Sequence, residues 1–304
     1  MPKNEKTQHI LSLIQSFPHI VTEKKIFLLM IDGLGTNNLK LPKSKFAEQI
    51  FRTVFPSSTP AFLYSFHSLL SPAKHGYLEW FMRFKNLKEP VTLPQWETLS
   101  GKKLELNAEI SKRDVFPFKS LSEIISKKGL SVCYYTPYPN STFTKITSRK
   151  AKLRKIEFLS EIFPLEECDF SFIYWPSIDA ILHKYFKGEQ FKVELQTIRF
   201  YVKLLWKKLP KNSKLIIMSD HGLTKIEREF LLPVVDGSYA VGGRRVAFYK
   251  DVEIEAVNDA LNKGRISARA YFLEDVFKDE KISKRCYKNF GRIVVIAKKG
   301  IGFR

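Results

Sequence analysis

Four short apolar runs constrain the fold of this chain more than any other feature. Lys25–Ile31 (KIFLLMI) runs straight into Asp32-Gly33, and Leu130–Tyr135 (LSVCYY) follows a helical stretch that stops at Gly129. Asp169–Trp175 (DFSFIYW) and Lys214–Ser219 (KLIIMS) complete the set, and a shorter run, Arg52–Phe55, leads into Pro56. Between them lie amphipathic stretches at Thr59–Leu70, Phe118–Lys128, Glu189–Leu209 and Glu253–Lys263. In the third, Phe191, Leu195, Ile198, Val202 and Leu205 recur at helical spacing with lysines between them. Apolar strands this short, separated by helices, must be buried on both faces, which requires a parallel sheet with helices on each side. The expected fold is therefore α/β, a three-layer sandwich with a mostly parallel central sheet. Residues 77–117 and 136–155 are irregular and rich in proline and lysine, and are expected as insertions or a cap beside that sheet.

In open α/β sheets chemistry gathers at the carboxyl ends of the strands, and the acids of this chain fall there. Asp32 follows the first run, Asp220 and His221 follow another, and Asp179 with His183 follows a third. At i, i+4 on a helix Asp179 and His183 lie on one face and can share a metal ion. Asp and His are the usual oxygen and nitrogen ligands of zinc and also serve manganese. Each site alone has an ordinary explanation as a turn residue or helix cap; three at three strand ends are harder to explain that way.

A fourth element, Phe55-Pro56-Ser57-Ser58-Thr59-Pro60-Ala61, fits a helix start with Thr59 as N-cap and Pro60 at the first helical position. The same position suits phosphate, through free N–H groups and the helix dipole. A hydroxyl held there on a metal can lose its proton and attack phosphorus.

Together these residues resemble the alkaline phosphatase superfamily, and most closely its type I phosphodiesterase/nucleotide pyrophosphatase family. The resemblance rests on Asp32-Gly33, on the Pro-Ser-Ser-Thr59 segment running to Pro72-Ala-Lys-His75-Gly76, on Tyr174 through Asp179 to His183, and on Ser219-Asp220-His221-Gly222. It covers residues 26–76 and 169–222 well, and 240–250 and 290–298 weakly. It implies one alkaline-phosphatase-like catalytic domain over 1–304 with two divalent ions, zinc or manganese. Asp32, Asp220 and His221 would hold one ion, which also contacts the Thr59 oxygen; Asp179 and His183 would hold the other. Thr59 would be the nucleophile of a phosphodiesterase or nucleotide pyrophosphatase. The alternatives are a phosphomonoesterase or phosphomutase on the same scaffold, or a degenerate member that binds nucleic acid or another polyanion. Sulfatase chemistry is disfavoured because the chain has no Cys-x-Pro-x-Arg segment.

Two departures stand out. The family supplies a further histidine near the C-terminus, and no histidine follows His221 here. Asp236 and Glu227 are the candidate replacements; otherwise the second site is weaker, or a C-terminal strand with its ligand is missing. At Trp80 the nucleotide pyrophosphatases commonly carry an asparagine that steadies a phosphoryl oxygen. His75 is expected to be structural, as is His67 on a helix face; His9 and His19 lie in the N-terminal lead.

Charge adds a partner class. With 51 Lys and Arg against 31 Asp and Glu the formal net charge is +20, which suits a small anionic substrate and admits nucleic acid. Its densest stretch, Lys145–Lys155, reads as a phosphate-contacting loop or as a solvated surface. The longest apolar run, Ile26–Ile31, is too short to span a membrane. Met1–Thr7 has no apolar core of a secretory signal. The three scattered cysteines, Cys133, Cys168 and Cys286, suggest neither a disulfide framework nor a metal site. The expected compartment is the cytoplasm.

Overall fold

A computed structural model describes residues 9–84, 87–106, 110–278 and 280–304; the segment Met1–Thr7 lies outside them. The elements in chain order are α1 (Ile10–Ile20), β1 (Lys25–Ile31), α2 (Thr59–Ser68), α3 (Pro72–His75), β2 (Phe81–Met82), β3 (Val91–Thr92), β4 (Glu97–Thr98), α4 (Lys112–Val115) and α5 (Leu121–Ser126). They continue with β5 (Val132–Thr136), α6 (Thr142–Thr147), β6 (Lys152–Lys155), β7 (Phe170–Trp175), α7 (Ser177–Tyr185), α8 (Glu189–Lys208), β8 (Ser213–Met218), β9 (Arg228–Phe230) and β10 (Val241–Gly242). The chain closes with β11 (Val246–Tyr249), α9 (Ile254–Lys263), β12 (Ala268–Phe272), α10 (Leu273–Val276), α11 (Lys284–Phe290), β13 (Ile293–Ala297) and β14 (Ile301–Phe303).

These elements form two compact units. Of the described residues, one comprises those up to Thr53, Phe66–Leu69 and Lys112–Leu223; the other comprises those in Val54–Ser65, Leu70–Ser111 and Thr224–Arg304.

The first unit carries the expected parallel sheet, in the order β6-β5-β7-β1-β8. Its middle strands are the apolar runs: β1 is buried at every position after Lys25, and all of β5 is buried. Below them lies a core of Leu29, Ile31, Ile173, Ile178, Ile198, Val202 and neighbours, supplied by the strands and by the apolar stripe of α8. On another part of the unit Phe172 stacks on Phe66 and on Tyr134, with ring centroids 4.4 and 4.8 Å away. His67 lies among these rings, 3% exposed, and burial alone pushes its pKa down to about 3.

Three expectations change. Residues 136–155 contribute α6 and the edge strand β6, so they build part of the sheet. Arg52–Phe55 is not a strand; its one pairing is an isolated bridge between Arg52 and His9. Cys133 and Cys168 form a disulfide although 35 residues separate them. Parallel pairing sets Cys133 of β5 opposite Ser171 of β7, which brings the segment entering β7 alongside β5. Glu166 lies with the two sulfurs, and its carboxylate is held by Lys152 and Arg154 at 2.5 and 3.7 Å. Cys286 is free and buried.

Lys145–Lys155 is correspondingly less open than its charge suggests. Arg149 donates through Nε and Nη2 to both oxygens of Glu123 at 3.1 Å. Glu123 in turn completes a capping box with Ser120 at the start of α5. Lys155 pairs with Glu157.

The second unit contains an antiparallel sheet in the order β10-β11-β13-β12, a parallel pair β14-β9 and a small antiparallel sheet β2-β3-β4. The four-stranded sheet and α9 enclose Ala247, Tyr249, Val257, Leu261, Val295 and neighbours. Residues 77–117 hold the small sheet, anchored by Trp96, which is fully buried and donates from Nε1 to the Tyr64 hydroxyl at 3.0 Å.

Candidate active site

The first unit gathers four of the expected ligands at the carboxyl ends of β1, β7 and β8. Asp32 follows β1, which pairs in parallel with β7 on one side and β8 on the other. The backbone N–H of Asp32 donates to Trp175 O at 3.0 Å, locking its position to the end of β7. Asp220 lies two residues past β8. Its Oδ1 accepts from the N–H of Gly33 at 3.0 Å and of His221 at 2.8 Å. Asp179 is the third residue of α7. Ligand atoms of Asp32, Asp179 and His221 all lie within 4.8 Å of one another, and His221 Nε2 is 3.5 Å from Asp32 Oδ1 and 3.4 Å from Asp220 Oδ2.

Glycine makes this convergence possible. Gly33 has φ +70°, and a Cβ there would lie 2.9 Å from Cα and Cβ of Asp179. Only a residue without a side chain lets the turn after β1 pass so close to α7. Gly35 approaches Gly222 in the same manner, and its N–H donates to His221 O at 3.0 Å.

Electrostatically the cluster is under-neutralised. Asp32 and Asp220 are 3% and 1% exposed. Burial, then the Asp220 charge, raises the Asp32 pKa well above the carboxylate range, with His221 opposing. Burial likewise pushes Asp220 up to about 6. Asp179 rises to about 6 through burial and then the Asp32 charge. Asp220 Oδ2 and Asp179 Oδ1 are buried without a hydrogen-bond partner. Three carboxylates and an imidazole, two of the oxygens orphaned, are what a hard or borderline divalent cation satisfies. The residues present therefore fit a metal ion.

His183 stands on the next turn of α7, with Nε2 3.5 Å from Asp179 Oδ2. Its side chain is 46% exposed, at the edge of the buried group rather than within it.

Two tyrosines that the motif reading left without a role belong to this site. Tyr174 donates its hydroxyl to Asp32 Oδ2 at 2.5 Å and so fixes that carboxylate. Tyr138, in the loop after β5, is half-exposed, and its ring is 6.4 Å from that of Tyr174. Burial, then the charges of Asp32 and Asp179, raises the pKa of its hydroxyl. The available signal for Tyr174 was its position at the end of a strand; for Tyr138 it was a lone aromatic between prolines after another.

Thr59 belongs to the second unit, at the N-terminal end of α2 and 2% exposed. The first helical bond runs from Phe62 N–H to Ser58 O, so Ser58 occupies the cap position and Thr59 is the first helical residue, one place from expectation. The neighbourhood is rigid. Ser58 Oγ donates to Leu78 O at 3.2 Å. His75 is fully buried, accepts at Nδ1 from Tyr77 N–H and meets Ser65 Oγ through Nε2. Burial pushes its pKa down to about 3, which suits a neutral structural ring. Glu79, next to Trp80, is buried, and its pKa is pushed up to about 8 by burial. Asp236 sits at an exposed turn with φ +47°, and Glu227 is exposed, its N–H on Gly300 O.

The family model for type I phosphodiesterase/nucleotide pyrophosphatase matches residues 40–302. Among solved structures, murine ectonucleotide pyrophosphatase/phosphodiesterase 5 is similar at TM-score 0.68 and 17% identity, over 92% of this chain and 80% of that one. An inactive threonine-to-alanine variant of the murine protein, in complex with AMP, is similar at TM-score 0.62 and 16% identity, over 98% and 78%. Phosphonoacetate hydrolase from Sinorhizobium meliloti 1021, in complex with phosphonoacetate, is similar at TM-score 0.64 and 11% identity, over 92% and 82%. No curated protein sequence matches the chain.

Proposed function

Because this chain belongs to the type I phosphodiesterase/nucleotide pyrophosphatase family and is a hydrolase acting on phosphate esters, we propose that it cleaves a nucleotide phosphodiester or pyrophosphate with Thr59 as nucleophile. Asp32, Asp220 and His221 hold one divalent ion and Asp179 with His183 a second, zinc first and manganese next. The observation that carries this reading is the pair of buried carboxylate oxygens, Asp220 Oδ2 and Asp179 Oδ1, that accept no hydrogen bond. Support for the threonine comes from the inactive threonine-to-alanine variant of the murine relative.

Ions in this donor set supply Lewis-acid stabilisation of the charge that develops on the phosphoryl oxygens. The chain does the rest. Tyr174 orients Asp32 through its hydroxyl. The N-terminal end of α2 offers backbone N–H groups and the positive end of its dipole to an anionic group. The Thr59 oxygen gives up its proton and attacks phosphorus, the alcohol or phosphate leaving group departs with a proton, and water then cleaves the nucleotidyl-threonine ester, releasing the nucleoside monophosphate and restoring the Thr59 hydroxyl. The Tyr138 ring is the aromatic surface available to the base of a nucleotide substrate.

Hydrolysis of bis(p-nitrophenyl) phosphate tests the reading. Activity should disappear on exhaustive chelation and return with Zn²⁺ or Mn²⁺. Turnover that persists without metal refutes it.

A further inference from the structure

Helix α8 has two faces, and Glu194 ties it to the start of α7 by accepting from Ser177 Oγ. The inner face is the core stripe already described. On the outer face Val193, Phe200 and Leu204 fall on one side at spacings of seven and four. Phe200 is 61% and Val193 60% exposed, with Leu204 partly buried beside them, on a helix whose opposite face is fully packed. Lys203 and Lys207 lie on the same side, and Lys208, Lys211 and Lys214 follow, all exposed. No Asp or Glu occurs between Glu194 and Asp220, while Arg199 and those five lysines do. The one acid on the outer side, Glu189 in the first turn, is tied to Lys192 at 2.5 Å. Trp206, 40% exposed, packs its ring 5.4 Å from Phe46 at the edge of the face.

We propose that the outer face of α8 is a docking surface for an anionic lipid bilayer. An in-plane helix binds such a surface by sinking apolar side chains to the headgroup boundary while lysines meet the lipid charge. Val193, Phe200 and Leu204 supply the first part and Lys203, Lys207 and Lys208 the second. Charge complementarity selects this occupant. A second copy of the chain would set these lysines against their own counterparts. A nucleic acid would be served by the lysines and by the Phe200 ring, but would leave aliphatic Val193 and Leu204 without the apolar surround that a bilayer supplies. Among the described residues no helix is long and apolar enough to cross a membrane, so the contact lies in the membrane plane.

Co-sedimentation of the full chain with phosphatidylcholine vesicles, with and without phosphatidylserine, tests the proposal. Phosphatidylserine should raise partitioning at least about tenfold, and added salt should reduce the gain. The double substitution V193S/F200S should lower partitioning to phosphatidylserine vesicles about tenfold with an unchanged melting temperature, since both side chains are exposed. Equal binding to neutral vesicles, or full binding by V193S/F200S, overturns the proposal. So does a lipid-free dimer in sedimentation velocity that V193S/F200S dissolves, because the face then belongs to a second copy. Duplex DNA that binds tightly and is unaffected by V193S/F200S, with no vesicle binding, overturns it in favour of a nucleic acid.

Discussion

Replacing Asp220 by Asn should stabilise the metal-free protein at neutral pH while destroying its response to metal. Asp220 is fully buried, and its pKa in the folded chain is pushed up to about 6, against roughly 3.9 for a free aspartate. The folded state therefore holds this proton more tightly than the unfolded state. Below pH ~4 both states are protonated and the site costs nothing. As pH rises through about 6 the folded chain must ionise a buried carboxyl, and stability falls. Two pKa units correspond to about 3 kcal/mol at pH 7.5. Asparagine keeps an oxygen for the N–H groups of Gly33 and His221, does not titrate, and removes one charge from the cluster. For a unit of this size ~1 kcal/mol moves the melting temperature by about 2–4 °C. In chelator at pH 7.5 the Asp220→Asn variant should melt about 6–12 °C above the parent, and at pH 4.5 that gap should shrink to roughly a third, closing below pH ~4. Added Zn²⁺ should raise the parent and leave the variant nearly unmoved. Scanning calorimetry of both proteins measures all three conditions. A variant less stable than the parent in chelator at pH 7.5 would refute the claim that the empty carboxylate cluster is under-neutralised.

Four further substitutions have expected outcomes. Thr59→Ala should lose at least about a thousandfold in kcat with metal binding retained by calorimetric titration; a fully active variant would make Thr59 only a helix residue, with Ser58 the next candidate. Gly33→Ala should cost about 2–4 kcal/mol in urea unfolding, because a side chain at φ +70° is strained and its Cβ would meet Asp179 at 2.9 Å; an unchanged midpoint would contradict that packing. Arg149→Gln should lower stability by about 1 kcal/mol through loss of its bond to Glu123, whereas Lys150→Gln should lower only kcat/KM for an anionic substrate at low salt, leaving kcat and the melting midpoint unmoved.

What could be read from residues alone was governed by burial. Strands β1, β5 and β7 announce themselves because central strands of a parallel sheet are apolar on both faces; β8, at the sheet edge and half-buried, is legible through its apolar run Leu215–Met218, and the acids after β1, β7 and β8 mark where chemistry collects. Strand β6 does not: Lys-Leu-Arg-Lys at a sheet edge is half-exposed, and its charges mask its role. The Cys133–Cys168 pairing depends on the register between β5 and β7, which no local spacing encodes. The helix start was displaced by one residue because Ser58 and Thr59 are both good caps and only the bond from Phe62 distinguishes them. Tyr174 and Tyr138 were hidden because an aromatic at a strand end reads first as core. The antiparallel sheet of the second unit left only weak traces at 240–250 and 290–298, where short strands lie between turns.

The position of β1 between β7 and β8 sets the order of events during synthesis. The bond from Tyr174 to Asp32 joins residues 142 apart in sequence, and that from Gly33 to Asp220 joins residues 187 apart. Contacts of such separation form late, because the loop entropy must be offset before they stabilise anything. Asp32 leaves the ribosome before Tyr174 and Asp220, whose contacts with this turn form only after they follow. A nascent chain therefore presents isolated acids with little hold on any cation, and the full donor set exists only once the parallel sheet has closed around β1. A metal ion that needs this whole donor set would therefore find it only in the folded protein.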